Sequence, residues 1–185
     1  MRIYLVTDEG LLLGKDLYRT VEAAVKGGVS MVQLREKESS TREFVERAIR
    51  LKEVLTPYGV PLIINDRVDV ALAANADGVH VGQSDMPYEM VKRLLPEGKM
   101  IGLSVESPEQ VLEANDYDLD YVAASPVFST TTKTNTIVEW GLDGLRWIRS
   151  VSRHPLVAIG GIHSNNVASI CKAGADSVAV ISAIV

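Results

Sequence analysis

Residues 73–79, Ala-Ala-Asn-Ala-Asp-Gly-Val, and residues 172–178, Lys-Ala-Gly-Ala-Asp-Ser-Val, are near copies of one another. Each ends a helical pattern on a residue suited to the left-handed backbone of a helix C-cap, Asn75 or Gly174, and then enters an apolar run. Lys26-Gly27-Gly28-Val29-Ser30 is a looser third copy. A helix-to-strand junction repeated in this way points to βα units and a parallel sheet.

Short apolar runs and longer helical patterns alternate on both sides of these junctions. The strand-like runs are Ile3–Thr7, Met31–Leu34, Leu62–Asn65, Gly78–Val81, Met100–Ser104, Tyr121–Ser125, Leu156–Ile159 and Ser177–Ile181. Most are apolar at successive positions, as strands covered on both faces should be. Helical periodicity spans Leu17–Lys26, Thr41–Leu55, Val68–Asn75, Pro87–Leu95, Pro108–Asn115, Gly141–Val151 and Asn165–Lys172. An open six-stranded sheet would leave two strand runs unassigned, so the expected fold is α/β, a (β/α)8 TIM barrel. The 185 residues are expected to form one domain, 1–185. Such barrels usually exceed ~200 residues. The chain stops just after the eighth run, so the final C-terminal helix is expected to be lacking.

Composition excludes several classes of function. Nineteen basic against 24 acidic residues give a net charge of −5 with no basic stripe, which argues against nucleic acid or an anionic membrane as partner. No apolar run approaches the ~18 residues of a membrane helix. Met1–Val6 enters an apolar strand at once without the layout of a signal peptide, so a cytoplasmic protein is expected. The single cysteine, Cys171, rules out an internal disulfide and reads as a small buried hydrophobe.

Barrels of this kind carry function at the C-terminal ends of their strands. The residues found there are polar and chemically coherent. Gln33-Leu34-Arg35-Glu36-Lys37 follows the second run, Asn65-Asp66-Arg67 the third, and Gln83-Ser84-Asp85 the fourth, which itself contains His80. Ser104 ends the fifth run, Thr130-Thr131-Thr132-Lys133 lies beyond the sixth, Gly160-Gly161 follows the seventh, and Ser182 the eighth. Arg35, Lys37 and Lys133 suit a doubly charged group such as pyrophosphate. Asp66 and Asp85, hard oxygen ligands among those cations, suit Mg²⁺ rather than zinc. The glycines and Ser182 occupy the position where barrels bind phosphate through backbone N–H groups. Each residue also has a plainer role open to it. Arg35 and Lys37 could sit in a solvated ion-paired loop, and Asp66 and Asp85 could cap helices. His80 could be a satisfied interior histidine, and Gly160-Gly161 a turn. His154 and His163 read as loop residues, His163 bordering the site.

Several of these strings are quite specific together. Gln33-Leu34-Arg35-Glu36-Lys37, Ile64-Asn65-Asp66-Arg67-Val68-Asp69, Ala76-Asp77-Gly78-Val79-His80-Val81-Gly82-Gln83-Ser84-Asp85, Thr130-Thr131-Thr132-Lys133 and Ala158-Ile159-Gly160-Gly161-Ile162 resemble the thiamine-phosphate synthase family, in order along the chain. The resemblance implies coupling of hydroxymethylpyrimidine diphosphate with a thiazole phosphate, giving thiamine phosphate and pyrophosphate by ionisation of the C–O bond. It implies that Asp66 and Asp85 hold Mg²⁺, while Arg35, Lys37, Asn65 and Lys133 hold the diphosphate. Arg35, Lys37 and Lys133 then act as the catalytic charges. Gln33, His80 and Ser104 line the pyrimidine pocket. Thr130, Thr132, Gly161, Ile181 and Ser182 hold the thiazole phosphate. Leu34, Glu36 and Thr131, inside the same strings, are included among the substrate-binding residues.

The nearest competitor is the related thiazole tautomerase on the same barrel, and a binding-only relative is a further alternative. The tautomerase tends to lose the metal carboxylates and carries a histidine two residues after the strand-five serine, where this chain has Glu106. Ser125 and Ser129 depart from the synthase pattern, which commonly has glycine and proline there. Loss of a final helix would uncover apolar surface, so a homo-oligomer or a partner chain is expected.

Overall fold

The eight apolar runs become eight parallel strands that close on themselves. In the computed structural model the strands are β1 (Arg2–Val6), β2 (Val29–Leu34), β3 (Leu62–Asn65), β4 (Gly78–Val81), β5 (Met100–Val105), β6 (Tyr121–Ala124), β7 (Leu156–Ile159) and β8 (Ser177–Val180). They pair in sequence order, and β8 returns to β1 with Val178 beside Ile3 and Val180 beside Leu5. The structure describes residues 2–12, 14–129 and 139–184. Among these, seven helices join the strands: α1 (Leu17–Lys26), α2 (Thr41–Leu55), α3 (Val68–Ala73), α4 (Tyr88–Leu94), α5 (Pro108–Ala114), α6 (Gly141–Val151) and α7 (Val167–Lys172). None of them is long and apolar enough to cross a membrane. Short 3-10 turns at Glu9–Leu11 and Thr56–Tyr58 are additions that no periodicity signalled.

Local chemistry sets the element ends. Ser40 and Glu43 form a reciprocal capping box at α2, and Asp16 and Ser107 accept from backbone N–H groups to open α1 and α5. The C-cap residues expected at the repeated junction do adopt left-handed backbone, with φ of 48° at Asn75, 107° at Gly28 and 111° at Gly174.

The aspartate of the near copies has a job of its own. Asp77, just before β4, accepts from the Leu62 N–H at the start of β3 at 2.7 Å. Asp176, just before β8, accepts from Leu156 N–H at the start of β7 at 2.8 Å. Asp120, before β6, treats Ile101 N–H on β5 in the same way. Each aspartate fastens the start of one strand to its neighbour, on the face opposite the strand ends that carry function. His154 belongs to this face as well. It is buried, with its ring nitrogens against the carbonyls of Leu119 and Ala114, so it is a structural tie rather than a loose loop residue. Cys171 on α7 is half-buried, less enclosed than its apolar neighbours implied.

Strand alternation divides the interior in two. Outward residues such as Leu5, Val32, Leu34, Ile64 and Val79 pack against Val21, Phe44, Leu51 and Leu145 of the helices. Inward residues, including Tyr4, Val6, Ile63, Tyr121, Val157 and Ala179, fill the barrel. That period of two decides which residues of each strand end can reach the site.

Candidate active site

The strand ends open into a cavity of about 890 Å³. At β2 the alternation continues past the strand, so Gln33, Arg35 and Lys37 line the cavity. Leu34 and Glu36 do not line it. Leu34 is fully buried against the helix layer. Glu36 turns its carboxylate onto Arg47 of α2 at 2.7 Å and Ser39 at 2.9 Å. Burial pushes the Glu36 carboxyl up from its ordinary range.

Arg35 is held from behind by residues far from it in sequence. Arg35 donates its backbone N–H to Thr7 Oγ1 at 3.1 Å and its guanidinium to Asp8 at 2.6 Å. Arg47 bridges Glu36 to Glu9 at 2.8 Å, and this contact draws the Glu9 carboxyl down. The loop after β1 and the helix after β2 therefore fix where Arg35 stands. These contacts span sequence separations that no local motif reveals.

The two carboxylates line the same cavity. Asp66 has left-handed backbone, φ 62°, with its N–H donating to the His80 carbonyl at 2.8 Å. Asn65 Nδ2 donates to Asp66 Oδ2 at 2.7 Å. Asp85 Oδ2 accepts from Gly82 N–H at 2.7 Å. Neither is a helix cap: α3 follows Arg67 and α4 follows Pro87, and neither helix has a side-chain cap. Burial, followed by contact with the Asp85 carboxylate, pushes the Asp66 carboxyl up to about 7, and the Asn65 hydrogen bond and then the Arg35 charge offset this only in part.

His80 is buried inside the barrel between Tyr121, whose hydroxyl is 3.1 Å from Nδ1, and Ser104, whose Oγ is 2.9 Å from Nε2. The Tyr121 ring lies where a side chain on β5 would stand. A Cβ at Gly102 would collide with it, which is why that strand carries glycine there. Gln83 Nε2 donates to the Ser104 carbonyl at 2.6 Å, another lining residue whose partner could not be read locally.

Gly160, Gly161, Ile181, Ser182 and His163 line the cavity along the ends of β7 and β8. Gly161 has φ 63°, and a Cβ there would stand 2.8 Å from Phe128 Cβ and from the Ser129 carbonyl. The double glycine thus has a packing reason in addition to leaving backbone open to the cavity. Thr130, Thr131, Thr132 and Lys133 lie outside the described residues.

Fold and cavity together define a (β/α)8 barrel enzyme with charged groups gathered at its strand ends. A sequence model of the thiamine monophosphate synthase family matches residues 3–184. A thiamine-phosphate synthase of Albidiferax ferrireducens is 53% identical over 184 residues, covering 100% of this chain and 84% of its own length. One from Leptospira biflexa is 51% identical, with 98% and 89% covered. The solved thiamine phosphate pyrophosphorylase of Pyrococcus furiosus superimposes with a TM-score of 0.88 at 40% identity, over 98% of this chain and 85% of that one. The chain belongs to the thiamine monophosphate synthase family, and it is an enzyme of the transferase class.

Proposed function

We propose that the chain couples 4-amino-2-methyl-5-hydroxymethylpyrimidine diphosphate to a thiazole phosphate, releasing pyrophosphate and thiamine phosphate. The observation that carries this reading is the meeting of Arg35 and Lys37 with the Asp66–Asp85 pair in one cavity, in a chain of this family.

The carboxylate pair fits Mg²⁺. Two hard oxygen donors are crowded closely enough that one holds its proton toward neutral pH, a deficit of positive charge that a small divalent ion would fill. Among the described residues there is no cluster of three or more ligand-type side chains. Asp66 and Asp85 would hold such an ion, since Mg²⁺ is ordinarily bound through one or two carboxylates. Bound there, Mg²⁺ supplies neutralising charge to the leaving diphosphate.

The chain's own residues account for the remaining steps. Arg35 and Lys37 hold the diphosphate, with Asn65 beside Asp66, and Lys133 is assigned the same role. As the methylene C–O bond breaks, its electron pair leaves with pyrophosphate, and these fixed charges stabilise the growing negative charge without having to reorganise. The pyrimidine methyl cation left behind, in the pocket of Gln33, His80 and Ser104, is captured by the thiazole nitrogen lone pair, forming the C–N bond. Gly161, Ile181 and Ser182, with Thr130 and Thr132, would anchor the thiazole phosphate. No general base is needed, because the nitrogen that attacks carries no proton.

The test is to mix the protein with both substrates and Mg²⁺ and to follow thiamine phosphate and pyrophosphate, with EDTA as control. Product that requires Mg²⁺ supports the proposal. Folded protein that yields no product refutes it.

A further inference from the structure

Five side chains from five strands form one hydrogen-bonded chain across the barrel. Gln33 Nε2 donates to the Tyr4 hydroxyl at 2.6 Å. The Tyr4 and Tyr121 hydroxyls are 2.9 Å apart, Tyr121 is 3.1 Å from His80 Nδ1, and His80 Nε2 is 2.9 Å from Ser104 Oγ. The Tyr121 and His80 rings stack at 5.5 Å, and Tyr4 meets Tyr121 edge-on at 5.8 Å. Burial pushes both phenols well above their ordinary range, so each keeps its single hydrogen.

The Gln33 amide, donating to Tyr4, gives the chain a direction. The Tyr4 oxygen already accepts from Gln33, so its own hydrogen goes to Tyr121, and the Tyr121 hydrogen goes to His80 Nδ1. His80 then carries its hydrogen on Nε2 and donates it to Ser104. Two groups remain for the cavity that Gln33 and Ser104 both line: Gln33 Oε1 as acceptor and the Ser104 hydroxyl as donor. The reverse direction is equally continuous, but it requires the Gln33 amide to turn over, His80 to carry its hydrogen on Nδ1, and Ser104 to donate inward. The cavity would then meet a donor at Gln33 and an acceptor at Ser104.

We propose that Tyr4 and Tyr121 are positioning residues whose hydroxyls fix this direction, so that the pocket selects an amino-substituted pyrimidine over its oxo counterpart. An exocyclic amine donates to Gln33 Oε1, and an unprotonated ring nitrogen accepts from Ser104. An oxo-pyrimidine offers a carbonyl in place of the amine and carries a ring N–H, so it faces acceptor with acceptor. A site built on hydrogen bonds rejects such a mismatch far more strongly than a site built on shape. The inference rests on the coupling reaction proposed above for its substrate class, whereas the direction of the chain does not.

Two measurements test it. Long-range ¹H–¹⁵N NMR of the ligand-free protein, with His80 identified by its loss in His80→Gln, is expected to find the hydrogen on Nε2. A hydrogen on Nδ1 overturns the direction. Calorimetry in Mg²⁺ without thiazole phosphate then compares 4-amino- and 4-oxo-pyrimidine diphosphates. The unaltered protein is expected to prefer the amino form by a hundredfold or more. Tyr4→Phe frees the Gln33 amide and should cut that preference to under tenfold, while inorganic pyrophosphate binding stays within about twofold. A merely structural role would not move the ratio. Tyr121→Phe repeats the test if Tyr4→Phe does not fold, and a preference kept within threefold in the folded variants refutes the proposal. If the unaltered protein binds pyrophosphate but neither pyrimidine, the coupling reaction and the selectivity both fall, and the NMR result still decides the direction.

Discussion

Replacing Asp66 with asparagine is expected to stabilise the protein in EDTA while abolishing turnover. Asparagine has nearly the same shape, tolerates the left-handed backbone at φ 62°, and can still accept from Asn65 through its carbonyl oxygen. What it removes is a carboxylate that burial and Asp85 make costly to ionise. The Asp66 pKa rises from an ordinary 3.8 to about 7. At 1.36 kcal/mol per pKa unit, that rise of about three sets a ceiling of about 4 kcal/mol. The side chain is partly open to water, and screening reduces the ceiling to about 2 kcal/mol. For a chain of this size the gain is a melting temperature about 4–8 °C higher.

The sign follows from linkage. Below about pH 4 the carboxyl is protonated in both the folded and the unfolded protein, so it carries no ionisation cost and the two proteins should melt together. Between about pH 4 and 7 the folded state holds a proton that the unfolded state has lost, so the unaltered protein loses stability as pH rises. Above pH 7 the cost is complete and the advantage of the variant is greatest. Calorimetric melting in EDTA at pH 4, 6 and 8 reads this directly. Adding Mg²⁺ should raise the melting temperature of the unaltered protein more than that of Asp66→Asn. A variant no more stable at pH 8, or a gain independent of pH, refutes the argument.

Asp85→Ala should lower turnover about a hundredfold or more in steady-state assays, as expected when one stabiliser of transition-state charge is lost. Asp77→Ala removes the acceptor for Leu62 N–H and for Lys52, so chemical unfolding should register a loss of about 2 kcal/mol with both KM values unchanged. Glu106→Gln should leave synthase turnover within about twofold. A larger loss would assign the carboxylate that stands in place of the tautomerase histidine a part in the chemistry.

The fold was legible because its signals are local. Alternating periods, capping residues and left-handed C-caps at Gly28, Asn75 and Gly174 lie within a few residues of the structure they cause. The near copies also revealed the junction, but not what their aspartates do, since Asp77 and Asp176 act on strands 15 and 20 residues earlier. The site was legible as far as the strand-end rule reaches. That rule picked out Arg35, Asp66 and Asp85 but could not separate Gln33 from Leu34, because nothing in a string of residues says which of two alternating faces is the inner one. Tyr4 and Tyr121 sit inside apolar strands and read as core. Asp8 and Arg47 matter only through partners at least 11 residues away.

Asp66 and the two tyrosines stand in opposite relations to stability. At Asp66 the group that would serve the reaction burdens the fold, because burial and Asp85 make its carboxylate costly to ionise, so its removal should strengthen the protein and end the chemistry. At Tyr4 and Tyr121 the two interests coincide. Among the described residues no buried side-chain polar atom lacks a hydrogen-bond partner. Inside the barrel this is achieved by a single chain in which each hydroxyl uses its one hydrogen to satisfy the next group. Removing either hydroxyl strands a buried neighbour, at about 1–3 kcal/mol, and also frees Gln33 or His80 to turn. Substitutions in the interior chain should therefore lose stability and selectivity together, whereas Asp66→Asn should exchange one for the other.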